Sequence, residues 1–254
     1  MNGISARGFT LALRPFSESD KIVQLYTLQW GLLRALVKGA RKPKSKLAPA
    51  LELFSESDLM LTKKPSGDLY LLTQVKVARG HGDLRKDLGS ITRLQVLADL
   101  LIQALPGTEP HPEVYHLLRG TLEALEAHPE AGETLLIAFA LKFLECLGHP
   151  LELSACAHCG SELPKRPVFL VPHRGGALCA DCGPAGTSRL SVSPAGLGIL
   201  TKIRTLSMDK VDRVKVPPIQ ARALFLAVMD YAERTLEREL KTIPYYLTLE
   251  PLPG

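Results

Sequence analysis

The sequence lacks any hydrophobic run long enough to cross a lipid bilayer. An uninterrupted apolar run such as Leu135 to Leu141 has seven residues, whereas a membrane-spanning helix needs roughly 20. The first eight residues also lack a basic stretch followed by an apolar core, so no secretory leader is expected. These two absences predict a cytoplasmic protein.

Cysteine is scarce, with five residues in the chain, yet four of them form two close pairs. Two residues separate Cys156 from Cys159 and Cys179 from Cys182, and 19 residues separate the pairs. This spacing is typical of paired knuckles that hold one metal ion with four thiolates, and it predicts a structural zinc site. Two disulfides or four free thiols are the alternatives, and the missing leader disfavours disulfides. The fifth cysteine, Cys146, lies in an apolar helical segment and is expected to be a buried core thiol.

Acidic residues are sparse in the first third of the chain. Residues 1–80 contain 13 Lys and Arg against 6 Asp and Glu, a net charge of +7, whereas the whole chain carries +5. Residues 34–46 contain no acid and six cations, namely Arg34, Lys38, Arg41, Lys42, Lys44 and Lys46. Such density is more often a polyanion-binding site than a solvated loop. It predicts that these side chains bind nucleic-acid phosphates.

The same basic third of the chain has the pattern of short β-strands. Five segments with alternating or apolar character are bounded by turn residues: Phe9 to Leu13, Val23 to Thr27, Leu33 to Val37, Leu51 to Thr62 and Leu69 to Val77. Five strands in about 70 residues predict a small barrel of the oligonucleotide-binding (OB) type, with an SH3-like barrel as the alternative.

Aromatic residues are also few, at 6% of the chain. Six of them fall in the predicted barrel: Phe9, Phe16, Tyr26, Trp30, Phe54 and Tyr70. Most should fill the core, and a few could stack on nucleobases. Trp30, which lies beside a predicted turn, is the best candidate for stacking.

After Leu84 the apolar residues follow a helical period. Helices are predicted around Ile91 to Leu105, Val114 to Leu125 and Thr134 to Leu147, again from Ser193-Pro194, and finally from Pro217-Pro218 to a point before Pro244. The fold class is therefore α+β with several domains. We expect an OB domain over 1–80, a helical domain over 81–153 and 185–254, and an inserted zinc module over 154–184.

Three segments carry a resemblance to a known family. Arg14-Pro-Phe-Ser-Glu-Ser-Asp-Lys-Ile, Gly31-Leu-Leu-Arg and Lys38-Gly-Ala-Arg-Lys-Pro-Lys-Ser-Lys resemble the opening of the bacterial RecO family of recombination mediators. The order of barrel, helices, four-cysteine insert and final helices is similar as well. The resemblance implies binding of single- and double-stranded DNA, annealing of complementary strands and a location at the nucleoid. It also implies that the protein, with RecR, helps to load RecA onto DNA covered by single-stranded-DNA-binding protein (SSB).

The residues themselves leave other functions open. No nucleophile elbow, dinucleotide fingerprint or open metal site is present in the sequence, so a binding function is expected and not an enzymatic one. An RNA- or ribosome-associated zinc-ribbon protein is the main alternative. A nuclease whose residues converge only in the fold is the other. The sequence assigns no residues to an SSB or RecR contact.

Overall fold

The computed structural model describes residues 3–43, 45, 47, 50–63, 67–105, 107–163, 166–183 and 191–249. The chain divides into two compact units, Met1–Tyr115 and His116–Gly254. The four-part division expected from the sequence is finer and stays a prediction.

Five strands of the first unit form a closed barrel. They are β1 (Gly3–Pro15), β2 (Lys21–Thr27), β3 (Gly31–Val37), β4 (Glu56–Lys63) and β5 (Leu69–Arg79), in the order β1-β2-β3-β5-β4. The barrel closes because β1 pairs with two neighbours: residues 3–9 pair with β4 and residues 8–15 pair with β2, in a ladder that contains a bulge between Thr10 and Ala12. The predicted OB-type barrel is confirmed.

Alternation along the strands separates the barrel core from its outer face. Val23, Leu25, Leu33, Ala35 and Val37 point into the core and are at most 1% exposed. The residues between them therefore point outward, because successive side chains of a strand lie on opposite faces.

Two predicted strand boundaries were wrong. The first strand begins at Gly3 and not at Phe9. The fourth strand begins at Glu56 and not at Leu51, because the chain turns at Phe54, where φ is +57°. Phe54 is fully buried, and its N–H donates to the carbonyl oxygen of Thr10 at 2.7 Å. Tertiary packing thus holds a non-glycine residue in the left-handed region that its local sequence would not favour.

The predicted helices are present. α1 (Leu88–Ala104) lies in the first unit and is capped by Asp87, whose side chain accepts from the N–H of Ser90. α2 (Pro112–Ala127) crosses the boundary between the units. The second unit holds α3 (Gly132–Cys146), α4 (Pro194–Thr205), α5 (Pro218–Leu236) and α6 (Thr242–Leu249).

Two details of the helical region differ from expectation. The last helix is not α5: that helix ends at Leu236, and α6 follows with Pro244 in its first turn, where the missing N–H of proline costs nothing. Cys146 is the final residue of α3 and is only half-buried, so the expected core thiol lies at the edge of the packed region.

The four-cysteine segment contains a small sheet within the second unit. β6 (Val168–Val171) and β7 (Gly176–Leu178) form the predicted hairpin, with Gly175 at a φ of +72° in the turn. A two-residue strand, β8 (Ser191–Val192), pairs with the other edge of β6. Glu152 pairs with Gly176 at the other edge of β7, so the chain that leads into the four-cysteine segment is bonded to its hairpin.

Candidate nucleic-acid interface and four-cysteine site

The outer face of β1, β2 and β3 carries exposed cations. Arg34 pairs with Gln24, and both point away from the core. Arg14 belongs to the next outward row, since it pairs with Ile22, which pairs with Leu36. Lys38 continues the outward alternation directly after β3 and is exposed. The strand register thus aligns on one face cations that are far apart in the sequence.

The loop after β3 adds two more exposed cations. Lys42 lies in a turn closed by its own N–H, which donates to the Gly39 carbonyl at 3.1 Å. Arg41 is held more firmly: its backbone N–H donates to the Ser19 carbonyl and its Nη1 to the Ser17 carbonyl, both at 2.9 Å. The other two predicted cations, Lys44 and Lys46, lie outside the described residues. Phosphate binding by the six remains a prediction.

Asp20 ties this loop to the loop between β1 and β2. Its Oδ1 accepts from the Gly39 N–H at 2.8 Å and from the Ser19 hydroxyl at 2.9 Å. These hydrogen bonds, that from Gly39 first, lower the pKa of Asp20, and the charge of Lys38 acts in the same direction. The carboxylate that could repel a polyanion here is therefore engaged in structural hydrogen bonds.

The aromatic side chains of the barrel divide sharply by exposure. Four are buried, namely Phe9, Tyr26, Phe54 and Tyr70. Two are exposed: Phe16 at 58% and Trp30 at 40%. The expectation that most aromatics fill the core is confirmed, and stacking by Trp30 stays a prediction.

The structure also brings together residues that the sequence did not mark. Arg14 joins the cationic face by its register, and Lys21 pairs with Val37 at the end of the barrel where the basic loop begins. Thr10 pairs with the core residue Leu25 and points inward, whereas Arg14 pairs with Ile22 and points outward. Simple alternation along the sequence does not reveal Arg14, because the bulge between Thr10 and Ala12 shifts the inside-outside parity of β1.

The four paired cysteines converge at one point of the second unit. Their sulfur atoms all lie within 4.8 Å of one another, and the Sγ atoms of Cys159 and Cys179 are 3.9 Å apart. A tetrahedral zinc with Zn–S bonds of about 2.3 Å separates its sulfur ligands by about 3.8 Å. The four thiols thus fit a metal ion of this size.

The thiols have unequal proton affinities. Burial raises the pKa of the Cys156 thiol, but backbone N–H groups of Cys159, Cys179 and His158 outweigh this effect and lower it to about 6. By contrast, hydrogen bonds to the neighbouring sulfurs of Cys179 and Cys159 raise the pKa of Cys182 to about 12. Four thiolates cannot coexist at this spacing without a cation, which is the chemistry of a metal-ligand set.

Two glycines shape the knuckles for different reasons. Gly160 follows the first pair at a φ of +70°, and its N–H donates to the Cys156 carbonyl at 2.8 Å. Gly183 follows the second pair, where a Cβ atom would overlap the ring of Phe169. Gly160 is needed because its backbone has a positive φ, and Gly183 is needed because a side chain there would overlap Phe169.

The described helices include none that is both long and apolar enough to cross a membrane. An OB-type barrel with a cationic outer face, followed by a helical unit with a four-thiol metal-ligand set, defines the class of protein. Comparison with known proteins specifies it further.

Two family descriptions cover nearly the whole chain. "Recombination protein O N terminal" matches residues 1–81 and "Recombination protein O C terminal" matches residues 85–244. The chain is also 31% identical to DNA repair protein RecO of Anaeromyxobacter sp. (strain K), over 100% of both chains. It is 31% identical to DNA repair protein RecO of Symbiobacterium thermophilum, over 95% of this chain and 96% of that one. It is 28% identical to DNA repair protein RecO of Desulfitobacterium hafniense (strain Y51), over 93% of this chain and 86% of that one.

The chain belongs to the RecO family of DNA repair proteins. The resemblance seen in its first 46 residues is confirmed.

Proposed function

We propose that the chain is a recombination mediator that acts on DNA by binding alone. It binds single- and double-stranded DNA through the cationic outer face of the barrel and anneals complementary strands. With RecR, it assists the loading of RecA on SSB-coated single strands. The observation that carries this proposal is the alignment of Arg14, Arg34 and Lys38 on one outward face of an OB-type barrel in a RecO-family chain.

The chemistry of annealing follows from charge neutralisation. Two strands repel each other through their phosphates, and cations that bind both backbones lower the barrier to their approach. Base pairing then supplies the driving force, so no nucleotide hydrolysis is required. Arg34, Lys38, Arg41, Lys42, Lys44 and Lys46 are the residues to which we assign the phosphate contacts.

The metal that we assign to Cys156, Cys159, Cys179 and Cys182 is a structural zinc ion. Four thiolates complete a tetrahedral coordination sphere, so no position is left for water or substrate. When bound, the metal stabilises the fold of this segment by linking the two knuckles.

The direct test is the rate at which two labelled complementary strands anneal, first naked and then coated with SSB, without ATP. Acceleration by the wild-type protein is the expected result. The double variant Arg34→Glu/Lys42→Glu should lose it, whereas Lys241→Glu, an exposed cation of the second unit, should keep it. Tight binding without acceleration would contradict the mediator function and favour a plain nucleic-acid-binding module, for which RNA is the next ligand to test.

The assigned cations are tested by the salt dependence of DNA binding, and the RecR-dependent loading step is tested by a separate measurement. Removing a phosphate-binding cation should weaken binding for all sequences and flatten the dependence of log K on log salt by about one unit per contact. An unchanged slope in the double variant would refute the assigned face. RecA filament formation on SSB-coated strands, measured with and without RecR, tests the loading step.

A further inference from the structure

We propose that Phe16 stacks on a nucleobase of single-stranded DNA while the cations around it bind the phosphates of the same strand. This inference rests on the DNA binding proposed above, and it assigns the single-strand contact to one side chain at one end of the barrel.

Phe16 is exposed without any evident benefit to folding. Its exposed fraction of 58% is higher than that of Trp30, at 40%, or Tyr245, at 50%, the other large aromatics exposed among the described residues. An exposed phenyl ring contributes little to stability, because hydrophobic stabilisation requires removal of the ring from water. A ring kept in solvent is free to meet a ligand.

The loop that carries Phe16 is held by its own hydrogen bonds. The N–H groups of Phe16 and Ser17 donate to the Asp20 carbonyl at 3.0 and 3.3 Å, and the Asp20 N–H donates to the Ser17 hydroxyl at 3.1 Å. Asp20 in turn accepts from Gly39 in the basic loop. The backbone under the ring is therefore ordered before binding, which reduces the entropy lost when a ligand docks.

Three cations lie close to this loop: one before it in the chain, one after it, and one from the basic loop. Arg14 precedes it by two residues on β1, and Lys21 begins β2 directly after it. The guanidinium of Arg41 contacts the loop itself through the Ser17 carbonyl. A ligand that covers Phe16 therefore also meets positive charge, and it must combine anionic groups with apolar surface.

Single-stranded nucleic acid has this combination in a regular repeat. Its bases offer planar π-faces that stack on aromatic side chains, and its phosphates lie beside them. In a duplex those faces are hidden in the base stack, so duplex DNA can use the cations and not the ring. Phe16 would thereby distinguish single strands from double strands on a surface that binds both.

Trp30 is placed differently. It lies in the turn after β2, whereas Phe16 lies in the loop before β2, and the seven residues of that strand separate them by about 20 Å. The indole N–H of Trp30 already donates to the Ser5 carbonyl at 3.2 Å. Lys38, Arg41 and Lys42 follow β3 at the Phe16 end, where Val37 pairs with Lys21, and this favours Phe16 for the first stacking contact.

The first experiment measures binding to oligo(dT) and to an abasic oligomer of the same length, over a range of salt concentrations. Phe16→Ala and Phe16→Leu should weaken oligo(dT) binding by about 5- to 100-fold, the range expected for loss of one stacked base. Phe16→Tyr keeps an aromatic ring and should bind oligo(dT) like the wild-type protein. Binding to the abasic strand and the salt slope should stay unchanged, since no cation is removed. Tyr245→Ala, an exposed aromatic of the second unit, is the matched control and should bind like wild type.

The outcomes separate the two proposals. Unchanged oligo(dT) affinity in Phe16→Ala overturns the stacking contact and leaves DNA binding standing, whereas a wild-type protein that binds neither strand overturns both. Full oligo(dT) affinity in Phe16→Leu would show an apolar contact that needs no aromatic ring and would also overturn stacking.

A second measurement observes the contact directly. In Phe16→Trp/Trp30→Phe the only tryptophan is at position 16, because the chain contains one Trp. Oligo(dT) should quench its fluorescence and the abasic strand should not. Equal quenching by both strands would show that the ring meets only the backbone, against the proposal.

Discussion

The backbone N–H of Gly39 donates to Oδ1 of Asp20 at 2.8 Å, and this bond, together with two hydrogen bonds from Arg41 to the Ser17 and Ser19 carbonyls, joins the two loops that flank the predicted DNA-binding surface. Loss of a negative charge would by itself strengthen DNA binding, but we expect removal of the Asp20 side chain to weaken it. Asp20→Ala deletes a negative charge beside Lys38, yet we expect severalfold weaker DNA binding, because the loops lose the side-chain hydrogen bond that holds Gly39 and keep only those of Arg41. Asp20→Asn keeps an acceptor oxygen for Gly39 and should bind at least as well as wild type.

The control for Asp20 is Glu18→Ala, which removes the same charge from the same loop without touching the Gly39 bond. It should strengthen DNA binding slightly. Amide hydrogen exchange at Gly39 and Arg41 reports the link itself and should accelerate only in Asp20→Ala. Tighter binding in Asp20→Ala would show that charge, and not loop order, dominates.

The same hydrogen bond predicts a pH dependence. The Gly39 N–H is the largest of the causes that hold the pKa of Asp20 below its ordinary value. A carboxyl with a lowered folded-state pKa contributes its stabilisation above the unfolded-state pKa and loses it as the pH falls through the folded-state pKa. The loop link should thus be unchanged from pH 7 to pH 5 and weaken only below about pH 4. NMR titration of the Asp20 carboxyl should give a midpoint lower than that of an unstructured Asp.

Gly31 should be the most sensitive glycine of the barrel. It has a φ of +59°, and a Cβ atom there would overlap the carbonyl group of Glu109. Gly67 also has a positive φ, +84°, but nothing lies within 4 Å of its Cβ position. Gly67→Ala should cost about 1–2 kcal/mol from the left-handed conformation alone. Gly31→Ala should cost clearly more, as measured by urea unfolding, and equal losses would contradict the assigned overlap.

Glu56 is a buried carboxyl whose partners hold the barrel to the start of α2 within the first unit. It is 1% exposed, accepts from Arg7 Nε at 3.2 Å and accepts from the Tyr115 hydroxyl at 2.9 Å. Arg7→Ala should lower the free energy of unfolding by about 1.5–3 kcal/mol, because it leaves a buried charge with fewer partners. Adding Glu56→Gln to Arg7→Ala should recover part of the loss. If Arg7→Ala is neutral in urea unfolding, the ion pair contributes nothing to stability.

Metal content tests the four-cysteine site. Purified wild-type protein and Cys146→Ser should each hold one zinc ion per chain, and Cys159→Ser should hold none, by elemental analysis. Despite the effect of burial, backbone N–H groups lower the pKa of Cys156, so its thiol loses a proton more readily at pH 7 than an ordinary cysteine. Zinc binding at pH 7 should therefore release fewer than four protons, measured by calorimetry in buffers of different ionisation enthalpy. A protein that lacks zinc and stays folded in a strong chelator would refute the site.

The sequence alone determined the features that depend on local pattern. Alternation in 9–13, 23–27 and 33–37 predicts three strands because successive side chains of a strand point to opposite faces of the sheet. The 2-19-2 spacing of the paired cysteines predicts their convergence, because a hairpin of that length returns the chain to its start. The density of cations in 34–46 marks the basic loop without any reference to folding.

Only the tertiary structure decided features that depend on register and on contacts distant in sequence. Arg14 joins the cationic face because a bulge resets the parity of β1, and no local pattern reports a bulge. Phe54 turns the chain at a positive φ, and α6 follows α5, because packing outweighs local preference at those points. Phe16 and Trp30 look alike in the sequence. Their different surroundings follow from the barrel, which places one loop against the cations and the other at the opposite end of β2.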